Sequence, residues 1–154
     1  MALQILKGHA FLTGMTDAHL GKLASLAQQV SFEESELILR AGERSRYFYL
    51  LVSGSVCVEI SSRSFTVCVQ ALNPGEAFGW SSLLDHHDTL FQVRARERSI
   101  AFCLDGPSLA ITCREDPEFG QELLRRTLRL VAGRVQATEA RLGELCGLRM
   151  HTTA

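Results

Sequence analysis

From Val30 to Leu104 apolar residues recur with a period of two, and turn residues interrupt the alternation about every 8–12 positions. This pattern constrains the fold most. Glu36 to Arg40 reads as a short strand, and Ala41-Gly42-Glu43-Arg44 as a turn in which Gly42 supplies a positive φ. Tyr47 to Val52 is a strand rich in aromatic and branched residues, and Ser53-Gly54 turns it into Ser55 to Ser61. Ser62-Arg63 leads into Ser64 to Leu72, where Phe65, Val67 and Val69 are expected to share a face. Phe91, Val93 and Ala95 alternate with Gln92, Arg94 and Arg96. Ser99 to Leu104 pairs back with Ile100, Phe102 and Leu104 on one face. Short strands so spaced, without strand–helix–strand alternation, imply an antiparallel β-roll or jelly roll.

Helices flank the roll. Thr16 is a suitable N-cap, with Asp17 in the first turn, and Leu20, Leu23, Ala24, Ala27 and Val30 form a stripe at helical spacing. This predicts a helix over about 16–29. Pro107 to Cys113 can form a short helix. Asp116-Pro117 then starts a long one, with Asp as N-cap and Pro at the first helical position, running to about Cys146. Along it Leu124, Leu128, Val131, Val135, Thr138, Leu142 and Leu145 alternate spacings of four and three, a heptad seam with Thr138 as its polar position. Either this stripe packs on the β core or its distal half pairs with a second chain. The seam outruns what one small sheet could cover, so the dimer is preferred. The tail after Cys146 is too short for another domain. The expected class is mainly β with flanking helices (α+β): one domain over 1–154, a β-roll over about 30–105 and C-terminal helices over about 107–146.

A hydrophobic content of 46% supports one core, with disorder expected only at the two ends. A formal net charge of −1 and no uncompensated basic cluster argue against a nucleic-acid-binding face. No apolar run is long enough to span a membrane, and the N-terminus lacks a secretory core, so a cytoplasmic location is expected. The 5 cysteines have no CxxC spacing. Cys57, Cys68 and Cys103 lie within apolar strands and read as buried, reduced thiols.

Asn73 to Arg96 breaks the regularity. It holds a Pro-Gly turn, an apolar segment Trp80 to Leu84 and a polar run Asp85-His86-His87-Asp88. A loop of this length in a small domain is more often functional than incidental, so a small-molecule site is sought here first.

The order of these features carries a resemblance. An N-terminal helix leads into strands carrying Gly42 and Gly54. Then come Leu72-Asn73-Pro74-Gly75-Glu76-Ala77-Phe78-Gly79, a short helix, the strand Val93-Arg94-Ala95 and the long helix. Nearly the whole chain resembles the cyclic-nucleotide-binding domain family, the sensor domains of catabolite activator protein and of the protein kinase A regulatory subunit. Arg134-Val135-Gln136-Ala137-Thr138 is similar to the family's dimer helix, in which a threonine touches the adenine.

The resemblance implies that the irregular stretch is a phosphate-binding cassette. Free N–H groups at the start of its short helix receive the cyclic phosphate, a Glu after Phe-Gly accepts the ribose hydroxyl, and an Arg pairs with the phosphate. Asn73-Pro74-Gly75-Glu76 matches the family's earlier turn, so Phe-Gly-Glu falls on Phe78-Gly79-Trp80 and Trp80 stands in place of the ribose Glu. The cassette Arg falls at Asp88, Thr89 or Leu90, none of them basic. The candidate pocket is therefore Phe78, Gly79, Trp80, Ser81, Ser82, Asp88, Thr89, Leu90 and Thr138. Two lost contacts to charged groups, at roughly 1.5–3 kcal/mol each, would weaken cyclic AMP or cyclic GMP binding by roughly 10²–10⁴-fold. Another small anion, or a nucleotide stacked on Trp80, stays open.

Other constellations fall behind. Neighbours His86 and His87 on extended chain point opposite ways, so a shared metal, as in a cupin-like enzyme, is disfavoured. Ser81 and Ser82 lack a nucleophile elbow. Arg94, Arg96 and Arg98 read as a solvated face. Neither an iron–sulphur cluster nor haem has its ligands. The expected function is a non-catalytic regulatory module that dimerises through its C-terminal helix and responds to a small effector. The alternative is a ligand-free interaction domain that kept the fold.

Overall fold

A computed structural model describes residues 1–85 and 89–147. The chain runs α1 (Ala2–Lys7), a 3-10 turn (Ala10–Leu12), α2 (Asp17–Leu26), β1 (Ala27–Phe32), β2 (Leu37–Leu39), β3 (Tyr47–Ser53), β4 (Val56–Ser61), β5 (Thr66–Leu72) and β6 (Ala77–Phe78). A second 3-10 turn (Trp80–Leu83), β7 (Phe91–Ala95), β8 (Ser99–Asp105), α3 (Gly106–Glu115) and α4 (Pro117–Leu145) complete it. Two antiparallel four-stranded sheets, in the orders β1-β8-β3-β6 and β2-β7-β4-β5, form the expected roll. Gly42 takes its expected positive φ, 80°.

Strands β3 and β8 are apolar on both faces because both faces are covered. Phe48 and Leu50, with Phe102 and Leu104, meet Leu6, Leu20, Leu23, Leu109, Phe119 and Leu123 of the helical layer. Tyr49, Leu51, Ala101 and Cys103 face the second sheet and pack with Val56, Val58, Leu72, Phe78 and Val93.

The helices start as their caps dictate. Thr16 Oγ1 accepts from the His19 amide at 3.3 Å, and Asp116 Oδ1 from the Phe119 amide at 3.2 Å. Helix α2 stops at Leu26, earlier than its apolar stripe suggested, because Ala27 to Phe32 pair with Leu104 to Ser99 as strand β1. The N-terminus is not disordered. Leu6 and Leu12 are buried, and His9 Nε2 donates to the Leu51 carbonyl at 2.8 Å. Arg126 Nη1 of α4 donates to the Phe11 carbonyl at 2.9 Å, tying the N-terminal segment to the first half of α4.

Three expectations need correction. The alternation in β5 does not run through: Glu59 pairs with Cys68 and Val58 with Gln70, so Val69 is bulged out of register and Phe65 is left 62% exposed. Cys57 and Cys68 are not reduced thiols. They are diagonal neighbours across β4 and β5, with Cα atoms 5.9 Å apart, and form a disulfide. Arg94 is not free on a solvated face. Its Nε donates to the buried Glu59 carboxylate at 2.9 Å and its Nη1 to the Ser35 carbonyl at 2.8 Å.

The inner stripe of α4 is Phe119, Leu123, Thr127, Leu130 and Arg134, not the heptad seam. The seam faces outward. Leu124, Leu128, Val135, Leu142 and Leu145 are 52%, 68%, 49%, 59% and 84% exposed. Among the described residues no helix is long and apolar enough to cross a membrane.

Candidate functional site

The cassette begins where β6 ends. Gly79 adopts φ 81°, in the left-handed region, and a Cβ there would run into the Tyr47 carbonyl oxygen. Only glycine lets the chain turn this tightly against β3. Trp80 to Leu83 follow as a single 3-10 turn, closed by the Ser82 amide donating to the Gly79 carbonyl at 3.1 Å.

The two serines hold the turn in place. Ser82 Oγ donates to the Gly79 carbonyl at 2.7 Å. Ser81 Oγ accepts from the Ser45 amide at 3.0 Å, which pins the turn to the loop between β2 and β3. Arg44 Nη1 reinforces that join, donating to the Leu84 and Asp85 carbonyls at 2.7 and 2.6 Å. Thr89 does the same further on: its carbonyl accepts from the Gly42 amide at 2.7 Å, and its Oγ1 accepts from the Phe91 amide at 3.1 Å. Glu76 is occupied too. Its carboxylate accepts from the Asn73 amide at 2.6 Å, as befits a turn residue.

Two adjoining cavities lie against this frame. The inner one, about 30 Å³, is lined by Gly79, Trp80, Ser81 and Thr89, with Leu39, Arg40, Glu43, Ser45, Phe91 and Val93. It has room for little more than a water molecule. The outer one is a groove of about 310 Å³ between Trp80, Thr89 and Phe91 on one side and Val131, Val135, Thr138 and Glu139 of α4 on the other. Arg134 lines both.

The site residues expected from sequence therefore separate. Gly79, Trp80, Ser81 and Thr89 meet at the inner cavity, and Trp80, Thr89 and Thr138 at the groove. Phe78 is fully buried and stacks on Tyr49 with ring centres 4.8 Å apart, so it belongs to the core. Ser82 is buried beneath the turn. Leu90 is 76% exposed and lines neither cavity. Asp88 lies outside the described residues.

Comparison with known proteins identifies this architecture. The family model for the cyclic nucleotide-binding domain matches residues 29–116. The chain belongs to the cyclic nucleotide-binding domain family. A search of curated proteins found no match. A protein of Geobacter metallireducens described as cyclic nucleotide-binding superposes with a TM-score of 0.75 at 25% identity, over 88% of this chain and 98% of the other. Catabolite activator protein of Thermus thermophilus gives 0.70 at 22% identity, over 89% and 63%. The regulatory subunit of a cAMP-independent protein kinase A from Trypanosoma cruzi, bound to guanosine, gives 0.63 at 23% identity, over 84% and 49%.

Arg134 is what sequence reasoning missed in this cyclic nucleotide-binding domain. It is only 8% exposed. Its Nε donates to Gln70 Oε1 of β5 at 2.8 Å, and its guanidinium lies over the Phe91 ring. Among the described residues it makes no ion pair. Burial alone pushes its pKa down to about 10. A signal was available: 119, 123, 127, 130 and 134 keep one helical stripe, and an arginine that continues a core stripe points into the protein. The seam residues Val131, Val135 and Thr138 also wall the groove, so one stretch of α4 serves two surfaces.

Proposed function

We propose that this domain is a non-catalytic regulatory module that works as a homodimer through α4 and responds to a small effector in the groove beside Trp80. The observation that carries this reading is the exposed heptad seam. Five large apolar side chains of the four-three seam, along a helix of 29 residues about 43 Å long, remain in contact with solvent on a single chain. Such a stripe is the ordinary signature of a partner helix. Because its middle also walls the groove, an effector there would act directly on the dimer contact, shifting it by the difference in its affinity for the two states.

Cyclic AMP and cyclic GMP are not the effectors in this reading. Trp80 occupies the place of the ribose-binding Glu, and Thr89 and Leu90 offer no cation. The inner cavity beside the cassette, at about 30 Å³, has no room for a cyclic phosphate in the family's usual place. The guanosine-bound Trypanosoma cruzi neighbour supports the idea that this fold can serve an effector of another kind. A cytoplasmic location belongs to the same reading, and nucleic-acid binding by this domain itself does not.

Sedimentation across micromolar concentrations should find a dimer, and Leu128→Glu with Leu142→Glu should convert it to a folded monomer whose melting temperature no longer rises with protein concentration, both sites being exposed on the single chain. A wild-type monomer throughout that range would refute the proposal. The small inner cavity favours one second reading, a ligand-free interaction domain. A thermal-shift screen of nucleosides, nucleotides and small anions separates the two, since a ligand of the folded state raises its stability.

A further inference from the structure

Arg134 is more than nine-tenths buried and carries a charge that no described carboxylate neutralises. Its Nε is used by Gln70, and its Nη groups make no hydrogen bond among the described residues. The Nη atoms are not among the buried polar atoms left unpaired, so they open onto the groove, where solvent screens the charge only in part. The two acidic side chains that line the cavities, Glu43 and Glu139, are themselves exposed and stay in solvent. Beside the guanidinium the groove is apolar: the Trp80 and Phe91 rings on one wall, Val131 and Val135 on the other. At about 310 Å³ it is at the small end of ligand sites.

The geometry points to Arg134 as the anchor of an organic anion, a flat apolar body bearing one carboxylate or phosphate monoester, seated in the groove between Trp80 and α4. The anion is thus held by the long helix; in the cassette the Ser82 hydroxyl already donates to the Gly79 carbonyl. Two Nη groups can receive two oxygens of such a head group in parallel. The ring or aliphatic body lies against Trp80, Val131 and Val135. This rests on the reading of the groove as an effector site, and it names the effector's chemical class.

The test uses matched pairs that differ in charge: 3-phenylpropionate against 3-phenylpropanol, and AMP against adenosine. Trp80 is the sole tryptophan of the sequence, so its fluorescence reports on the site, with calorimetry as a second readout. The full chain should bind at least one anion at least about tenfold more tightly than its neutral counterpart. Preference within the first pair selects a carboxylate and within the second a phosphate. Arg134→Met should remove the preference and Arg134→Lys should keep most of it, with melting temperatures taken alongside to confirm folding. Equal affinity for charged and neutral members, an unchanged preference in Arg134→Met, or no response to either anion would overturn the inference. The wild-type pairs decide the matter even if Arg134→Met does not fold. A dimer that answers adenosine as well as AMP would keep the regulatory reading and lose the anion. A monomer that still prefers the anions would do the reverse.

Discussion

The guanidinium carbon of Arg134 lies 5.4 Å from the centre of the Phe91 ring, and both line the groove against α4. The ring face and Gln70 offset part of the cost of burying the charge. The rest shows in the fall of its pKa from 12.5 to about 10. That shift corresponds to about 3 kcal/mol against the folded state, at 1.36 kcal/mol per decade, and it applies at every pH below about 10. Losing the Gln70 bond returns about 1 kcal/mol. Arg134→Met should therefore leave stability unchanged or raise it by about 1–2 kcal/mol in urea unfolding.

The Cys57–Cys68 disulfide closes a short loop, the two residues being 11 apart. Loop entropy alone gives such a link about 3 kcal/mol, so Cys57→Ser or full reduction should lower stability by up to that amount. Thiol labelling reads the pairing directly. The native, oxidised chain should label quickly at the exposed Cys146 and slowly at Cys113 and the buried Cys103. Denaturant without reductant should give three labels, and reductant all five. In a reducing cytoplasm the five-label pattern would be the cellular one.

His9 donates from Nε2 to the Leu51 carbonyl, while its Nδ1 is buried without a hydrogen-bond partner among the described residues. Burial pushes its pKa below the ordinary 6.5, against a smaller upward pull from the Leu51 bond. The neutral ring is the folded form, so the unfolded chain takes up the proton first as pH falls. The stability from His9 is complete above about 6.5 and declines below it. The melting temperature of the wild type should exceed that of His9→Gln most at about pH 7.5, and the gap should shrink towards pH 5.

Gly79→Ala should cost more than about 2 kcal/mol, since it combines an unfavourable φ with a collision at the Tyr47 carbonyl. Its Cβ would also press Tyr49 Cδ2 at 3.1 Å and Ser45 Oγ at 3.2 Å, both part of the frame that fixes the cassette. Urea unfolding checks the size of the loss. Trp80 fluorescence checks that the disturbance is centred on the turn.

Where local chemistry decides the structure, the sequence is easy to read. Asp116-Pro117 starts α4 because an aspartate cap and a proline at the first position fit together nowhere else so well. The strands follow from alternation, and the both-sided burial of β3 from its unbroken apolar run. What stayed hidden depends on register between distant segments. The bulge at Val69 is invisible in one strand alone, because it is a mismatch with β4. The Cys57–Cys68 pair depends on that same register. Residues 2–12 looked like a fraying end because only the finished helical layer offers Leu6 and Leu12 a place to be buried. Of the site, Gly79, Trp80 and Thr89 could be found from the resemblance. Phe78 and Leu90 came with them only by adjacency, and Arg134 was passed over because an arginine on a helix is ordinarily solvated.

Val131, Val135 and Thr138 belong to the groove wall and to the outward seam at once. On the proposed reading, in which this seam pairs two chains and the groove takes a ligand, occupancy and self-association would be linked equilibria. Whatever factor a bound molecule applies to the association constant of two chains, association must return to its affinity, by reciprocity of linked binding. Affinity measured on dilute protein and on concentrated protein should differ by that factor, and a response curve in the cell would depend on how much of the domain is made.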